Sequence, residues 1–455
     1  MLSKNKKNII LIISIIIFLI FLRAYDIKNP VSTNGIDEGI HLIQSKMVAE
    51  GYNYYDDLNG DQAPLAIIVF SVFHGDVMAC RFLSLFLFLL SSIFLFFMAG
   101  KFGRDIAIIS LLIIFLDFTL FRESRLASLD MFSASLLMIA SYFFVRYIDA
   151  PSILNISVAS FIMSLSLLSK IVPAFVVLFV LFYLFFMKRR WREGIISIIF
   201  LLLPLLALLS IFTPSQLIEG IIFRQGHRGF DIYSKASILL FLSSSFIYLL
   251  SIKKWDIKDE KILYLVAWIA LIIIPVMVQG RTSQHHFVYA SYPLAILSSI
   301  AIKEGYGKKK KILLIFVIFN LFLSLFFVVT APPDTAYRVA GEIENITGRD
   351  AMVISGNPLV NVVANRNPPP NLTNLARYHY PDVTLSDIIY WLKTDDTQVV
   401  VLYYHLSEIE GLREYLENSS EWHYYKKVEG RGQILFDGVI PHFSRDVYEI
   451  YVRVD

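Results

Sequence analysis

One cysteine among 455 residues, Cys80, excludes an intramolecular disulfide framework and any thiolate metal cluster; alone, it reads as a small packing residue. Charge is scarce too: Asp, Glu, Lys and Arg make up 17% of the chain, where a soluble domain carries about a quarter. With 56% of its residues hydrophobic, such a chain needs lipid as its solvent. A net charge of +3 and the lack of any basic stripe interleaved with aromatics exclude a nucleic-acid partner. No repeat stands out at the periods of helical or propeller arrays. No small-x-small cleavage site follows the first apolar run, from Ile9 to Leu22, so that run reads as an uncleaved anchor with Arg23 snorkelling at its end.

What is present is apolar sequence in blocks. Runs long enough to span, or nearly so, recur at about 9–24, 82–99, 106–121, 131–147, 154–168, 171–187, 194–212, 236–252, 262–278, 287–302 and 312–331, eleven in all. The fifth and sixth are the weakest and could form a re-entrant pair around Lys170, which leaves every later loop on the same side. With the N-terminus inside, inner segments hold nineteen Lys and Arg, and outer segments before the tail hold about eleven although they are longer. That bias sets the N-terminus in the cytoplasm and the C-terminus outside. The Ile- and Lys-rich composition hints at a prokaryotic, archaeal cell membrane.

Two outer regions are large. The first, 25–81, holds an amphipathic stretch from Glu38 to Glu50 and a short apolar run from Leu65 to Phe73, both read as lying flat in the interface. The second begins near Pro332, where Pro, Asn, Asp and Glu rise. Strand-like runs at 351–355, 398–404 and 432–436, with helical stretches near 385–392 and 408–416, suggest an autonomous α/β domain with sequons at Asn345, Asn371 and Asn418. The expected architecture is therefore an all-α polytopic membrane domain of about eleven transmembrane helices over 1–331, including the first outer loop, followed by a C-terminal soluble α/β domain over 332–455.

On this topology the chemistry-bearing residues gather on the outer face. Charged groups at membrane depth are costly and line interior cavities. Asp37 and Glu38 open the amphipathic stretch, where a carboxylate both caps a helix start and is preorganised for chemistry. Arg122, Glu123, Arg125 and Asp130 lie between the third and fourth runs, with a solvated turn as the plainer reading. Lys170 sits between two apolar runs, where snorkelling is the default and contact with a lipid phosphate the functional alternative. Arg224, His227 and Arg228 fall in one outer loop, and Arg281, His285, His286 and Tyr289 in the next. No His-x3-His or His-Glu-x-x-His spacing occurs, so these clusters suit a phosphate or pyrophosphate better than a metal.

The ordered series Asp37-Glu38, the Gly-Tyr-x-Tyr-x-Asp stretch from Gly51 to Asp56, Pro64-Leu65, Arg81, Arg125-x4-Asp130, Lys170 and His286-Phe-x-Tyr-x-x-x-Tyr-Pro293 resembles the GT-C superfamily of membrane glycosyltransferases. It looks like the branch holding protein mannosyltransferases and aminoarabinose transferases, which use polyprenyl-phosphate sugars. Gln62-Ala63 stands where that family often has Lys-Pro, leaving one expected cation unaccounted for. The Trp-Trp-Asp signature of oligosaccharyltransferases is absent, which implies transfer of one sugar rather than a whole oligosaccharide.

The resemblance implies an inverting transfer from a polyprenyl (dolichyl) phosphate sugar to a protein, lipid or glycan acceptor at the outer membrane face. Asp37 is then the base, with Glu38 and Asp130 orienting it or the sugar. Lys170, Arg224, Arg281, His286 and Tyr289 would hold the lipid phosphate, and Arg125, His227 and Arg228 would contact substrate. No cofactor is firmly implied; a divalent metal held by Asp37 and a second acid is the alternative. A transporter or flippase of lipid-linked sugars is the rival from another class, although inverted repeats and Gly- or Pro-broken midplane helices are not evident.

Overall fold

In the computed structural model the described residues are 4–29, 35–224, 231–252, 255–305, 308–330, 333–375, 383–394, 396–435 and 442–454. They form two compact units. The first comprises Met1–Lys28, Arg81–Ile211 and Phe230–Thr330; the second comprises Asn29–Cys80, Phe212–Gly229 and Ala331–Asp455. The first outer loop, within Asn29–Cys80, thus falls in the same contact unit as the tail.

The first unit is helical. It opens with α1 (Lys4–Ala24), and the second unit supplies α2 (Gly35–Ala49) and α3 (Leu65–Ser71) before the chain returns through α4 (Val77–Gly100), α5 (Arg104–Leu116), α6 (Phe118–Glu123), α7 (Leu129–Asp149), α8 (Ile153–Leu167), α9 (Ala174–Phe182) and α10 (Trp191–Leu209). Later helices include Ser237–Ser244, Glu260–Val278, Val288–Glu304 and Lys308–Thr330. Among the described residues, helix covers each of the eleven apolar runs. Five helical stretches, Val77–Gly100, Leu129–Asp149, Trp191–Leu209, Glu260–Val278 and the one from Lys309, are long and apolar enough to cross a membrane by length and composition.

The third run breaks at Asp117, whose extended backbone separates α5 from α6 and whose carboxylate accepts from Leu120 N at 2.7 Å. Helix Val288–Glu304 is buried from Val288 through Ile302, as befits a helix apolar all round. Hydroxyl pairs tie the bundle together: Ser133 to Ser166 at 3.1 Å, Ser160 to Ser197 at 2.7 Å, Ser141 to Tyr264 at 2.7 Å and Ser110 to Ser299 at 2.9 Å. Small side chains let helices approach and supply cross-helix bonds where no water competes.

Arg23 does not snorkel. It is fully buried, and its guanidinium donates to the carbonyls of Ile114 and Phe115 and to Ser124 Oγ, 2.9 to 3.1 Å away. Those carbonyls are left over where α5 stops short at Asp117, so the arginine satisfies acceptors that lipid could not.

In the second unit, the tail folds around a four-stranded sheet of order β1-β2-β4-β3, with β1 (Met352–Ser355) parallel to β2 (Thr397–Leu402). β3 (Trp422–Leu435) and β4 (His442–Arg453) pair antiparallel, and β4 also pairs antiparallel with β2. Ile354, Val400, Leu402, Trp422 and Tyr451 of the sheet bury against Ile388, Leu392, Leu412 and Leu416 of its helices. α2 is not an interfacial helix. Its face of Ile40, Ile43 and Met47 is buried in protein, with Ile43 and Met47 packed alongside Leu58, Tyr52 and Val362. The amphipathic pattern was read correctly as helix, but the surface covering it is chain rather than lipid.

Candidate functional site

The candidate residues fall into two groups, one in each unit. In the helical unit, the loop between α6 and α7 is organised by Ser128. Its hydroxyl caps α7 by accepting from Met131 N at 3.2 Å and donates to Glu123 Oε2 at 2.7 Å. The other Glu123 oxygen receives Arg122 Nε at 2.9 Å and Nη2 at 2.7 Å, and Arg122 Nη1 donates to Gln284 Oε1 at 3.1 Å. The cap places Asp130 in the first turn of α7, where Lys170 Nζ donates to Oδ2 at 2.5 Å and His285 Nε2 lies 3.7 Å from the same oxygen. Tyr289 is buried beside Asp130 and Ser133.

Lys170, Asp130, Arg122 and Glu123 are all at most 8% exposed. Two cations and two carboxylates thus neutralise one another in pairs, which is what permits such groups to be buried at all. The pairing of Lys170 with Asp130 was not anticipated from sequence, and neither was the proximity of His285. A phosphate approaching this cluster would share the Lys170 ammonium with Asp130.

His286, the predicted phosphate ligand, accepts at Nδ1 from Ser283 N at 3.2 Å and faces the Gln279 amide nitrogen at 3.0 Å. Two N–H groups pointing at Nδ1 leave the neutral ring's proton on Nε2, a donor suited to an anion. Arg281 is half-buried in the same loop. Arg125 is placed otherwise. Its guanidinium donates to the carbonyls of Leu22, Arg23, Tyr25 and Asp26 at 2.8 to 3.0 Å. Arg81 Nη1 donates to those of Ile27 and Lys28. Both residues carry the family resemblance, and in this structure Arg125 satisfies the end of α1 and the start of the turn that follows, and Arg81 the rest of that turn.

In the second unit, Asp37 is half-buried and Glu38 is 2% exposed in the first turn of α2. The Gly-Tyr-x-Tyr-x-Asp stretch folds around Asn53, whose side-chain oxygen accepts from Tyr55 N and Asp56 N while Asp57 accepts from Asn53 N. Tyr55 donates to Gln62 O at 3.0 Å. Burial, and then the nearby Asp61 carboxylate, push its phenol above the ordinary tyrosine range. Arg224 donates to Gly60 O at 2.9 Å. Gly220 approaches the Tyr55 ring so closely that an added Cβ would meet it at 2.2 Å. His227 and Arg228 lie outside the described residues. Among the described residues, no group of three or more His, Cys, Asp or Glu is arranged to hold a metal ion.

Sequence reasoning missed Asp117, whose Oδ2 accepts from Ser245 at 2.8 Å, Tyr248 at 2.5 Å and Ser291 at 3.3 Å. The signal was available, since an acid inside an apolar run marks an interior polar site.

Residues 63–217 match the family model described as dolichyl-phosphate-mannose-protein mannosyltransferase. A search of characterised proteins by sequence found no match. Among solved structures, ArnT from Cupriavidus metallidurans in the apo state superposes with a TM-score of 0.67 at 13% identity, over 98% of this chain and 98% of that one. The same protein bound to undecaprenyl phosphate gives 0.67 at 12% identity, over 97% of each chain. The archaeal oligosaccharyltransferase AglB from Archaeoglobus fulgidus, in complex with an inhibitory peptide and a dolichol-phosphate, gives 0.52 at 12% identity over 93% of this chain and 74% of that one. Residues 63–217 thus match that mannosyltransferase family model, and the chain shares the fold of ArnT, with five helical stretches among the described residues long and apolar enough to cross a membrane.

Proposed function

We propose that this chain transfers a single sugar, with inversion, from a polyprenyl (dolichyl) phosphate donor to a hydroxyl or amine on a protein, lipid or glycan acceptor. The work is done at the outer face of a prokaryotic membrane that the chain crosses eleven times. The observation that carries the reading is the match of fold along 97% of the chain to a structure holding undecaprenyl phosphate. In the step proposed, the bond between the anomeric carbon and the phosphate oxygen breaks, and the phosphate monoester leaves with the electron pair. The acceptor oxygen or nitrogen bonds to that carbon, and its proton passes to the Asp37 carboxylate. A phosphate monoester is a weak base and needs no general acid; cations stabilise the charge it gains. Lys170, Arg281 and His286 are the candidates in the helical unit, with Tyr289 beside Lys170's partner, and Arg224 is that of the outer loop; Arg125, His227 and Arg228 contact substrate. Glu38 and Asp130 orient the base or the sugar.

The decisive assay supplies a labelled lipid-phosphate sugar and looks for free polyprenyl phosphate. Movement of intact lipid-linked sugar without its release would indicate a flippase instead. Asp37→Asn is expected to lower turnover about 10²- to 10⁴-fold, the usual share of general-base catalysis, with donor affinity within a few-fold. Asparagine caps a helix nearly as well as aspartate, so wild-type turnover would make Asp37 a structural residue. Orientation is tested by cysteines at Gly35, Gly226, Ser283 and Lys309: an impermeant reagent should label the first three from outside and spare the last.

A further inference from the structure

α2 is held by the tail at several points. Gln44 Nε2 donates to Thr373 Oγ1 at 3.3 Å and Lys46 Nζ to Asn367 Oδ1 at 2.8 Å, while Asn367 Nδ2 donates to Glu50 at 2.6 Å. The tightest approach is at the N-terminal end. A Cβ on Gly39 would lie 2.3 Å from Leu359 N and 3.0 Å from both Leu359 Cα and the Pro358 carbonyl carbon. Those are backbone atoms, which cannot swing aside as the end of a side chain can, so the first turn of α2 can seat there only with glycine at 39. Asp37 and Glu38 occupy that turn.

The backbone that receives Gly39 is itself fixed to the sheet. Asn357, two residues past the end of β1, accepts from Leu359 N on its side-chain oxygen at 3.1 Å and donates from Nδ2 to Tyr448 OH at 2.8 Å. The Tyr448 ring stacks on that of Tyr403 with centroids 4.1 Å apart and planes 6° from parallel, and Tyr403 OH donates to Asp446 at 3.2 Å. The preceding Gly356 leaves no room either, since a Cβ there would meet Tyr403 O at 1.9 Å. A continuous run of short contacts thus joins β2 and β4 through Asn357 and Leu359 to Gly39.

We propose that the tail domain is a positioning element for the base: Gly39 and Asn357 are positioning residues that set the first turn of α2, and with it the Asp37 carboxylate. The inference rests on Asp37 being the base, and it assigns the tail a part in the chemical step. A displacement of about 1 Å at a catalytic group costs about 10²-fold in rate. Positioning therefore predicts loss of kcat with little change in donor binding.

The test compares Gly39→Ala, Asn357→Ala and Asn357→Asp with Asp37→Asn in the full-length protein in nanodiscs. It measures kcat, donor KM and hydrogen exchange of the peptides covering 36–47 and 358–364. Gly39→Ala should lower kcat about 10²-fold, leave donor KM within about twofold, and speed exchange in both peptides. Asn357→Ala should behave likewise but more weakly. Asn357→Asp, which keeps the acceptor for Leu359 N and can accept from Tyr448 OH, should restore most of the rate. Wild-type kcat in Gly39→Ala despite faster exchange would overturn the proposal, as would a rate loss matched by loss of donor binding. Failure of the base assignment is read separately, from Asp37→Asn, whose exchange should match wild type.

Discussion

The candidate charges of the two units sit in different surroundings. In the helical unit the buried ionic groups come with ionic or dipolar counterweights: Lys170 with Asp130, Arg122 with Glu123, Arg125 and Arg81 with carbonyls at the end of α1 and in the turn that follows it. In the second unit the candidate base is a half-buried carboxylate at a helix start, and its helix is held by backbone contact at Gly39, an apolar face and partly exposed bonds from Lys46 and Glu50 to Asn367. The lesson is that a charge in the membrane unit is first a structural commitment, whatever chemistry it also does. At the half-buried helix start of the second unit, removing the Asp37 charge should affect the fold far less.

The sharpest way to break that comparison is to unbalance a pair. Asp130→Asn leaves the Lys170 ammonium buried without its partner and should cost about 3–5 kcal/mol in thermal unfolding in detergent, whereas replacing both, with Asp130→Asn and Lys170→Met, should recover most of it. Equal stability of the single and double variants would show that the pair is not a structural unit. Asp37→Asn, measured the same way, should leave the melting temperature nearly unchanged.

A smaller effect is expected at Arg125. Arg125→Lys keeps the charge but cannot fork to the carbonyls of 22, 23, 25 and 26, so it should lose about 1.5–3 kcal/mol, the range of hydrogen bonds to a charged group. If lysine proves neutral for stability yet weakens donor binding, Arg125 is a substrate residue, as the family pattern implies.

The smallest lies in the tail. Asp387 closes a capping box with Thr384, accepting from its N at 2.8 Å and its Oγ1 at 2.7 Å. Those bonds hold its carboxyl below the ordinary aspartate range. A lowered folded value means the contribution is fully present above the unfolded pKa of about 3.9 and fades as pH falls through the folded one. Asp387→Ala should therefore destabilise the tail by about 0.5–1 kcal/mol at neutral pH, and by progressively less under acid conditions. Chemical denaturation followed by tail tryptophan fluorescence at pH 7 and pH 3 would show it.

Much of this protein was legible in its sequence because the signals are local. Apolar blocks specify helix wherever lipid is the solvent, since a backbone in hydrocarbon must satisfy its own hydrogen bonds. The period of Ile40, Ile43 and Met47 marks α2 wherever it packs, and the apolar runs at 352–355 and 397–402 mark buried parallel strands. The hairpin of β3 and β4 was largely missed because charged residues and His interrupt both strands, and β3, at the sheet edge, needs an apolar residue only on the face it buries.

Tertiary structure decided everything that depends on partners distant in the chain. Periodicity says that a helix has an apolar face, not what covers it, so lipid and the tail were indistinguishable as the cover of α2 until Val362 and Leu359 were placed against it. Lys170 and Asp130, forty residues apart, each looked like a free charge at the membrane surface. Burial makes an unpaired charge too costly to keep, and only the packing of the helices shows which carboxylate answers which cation.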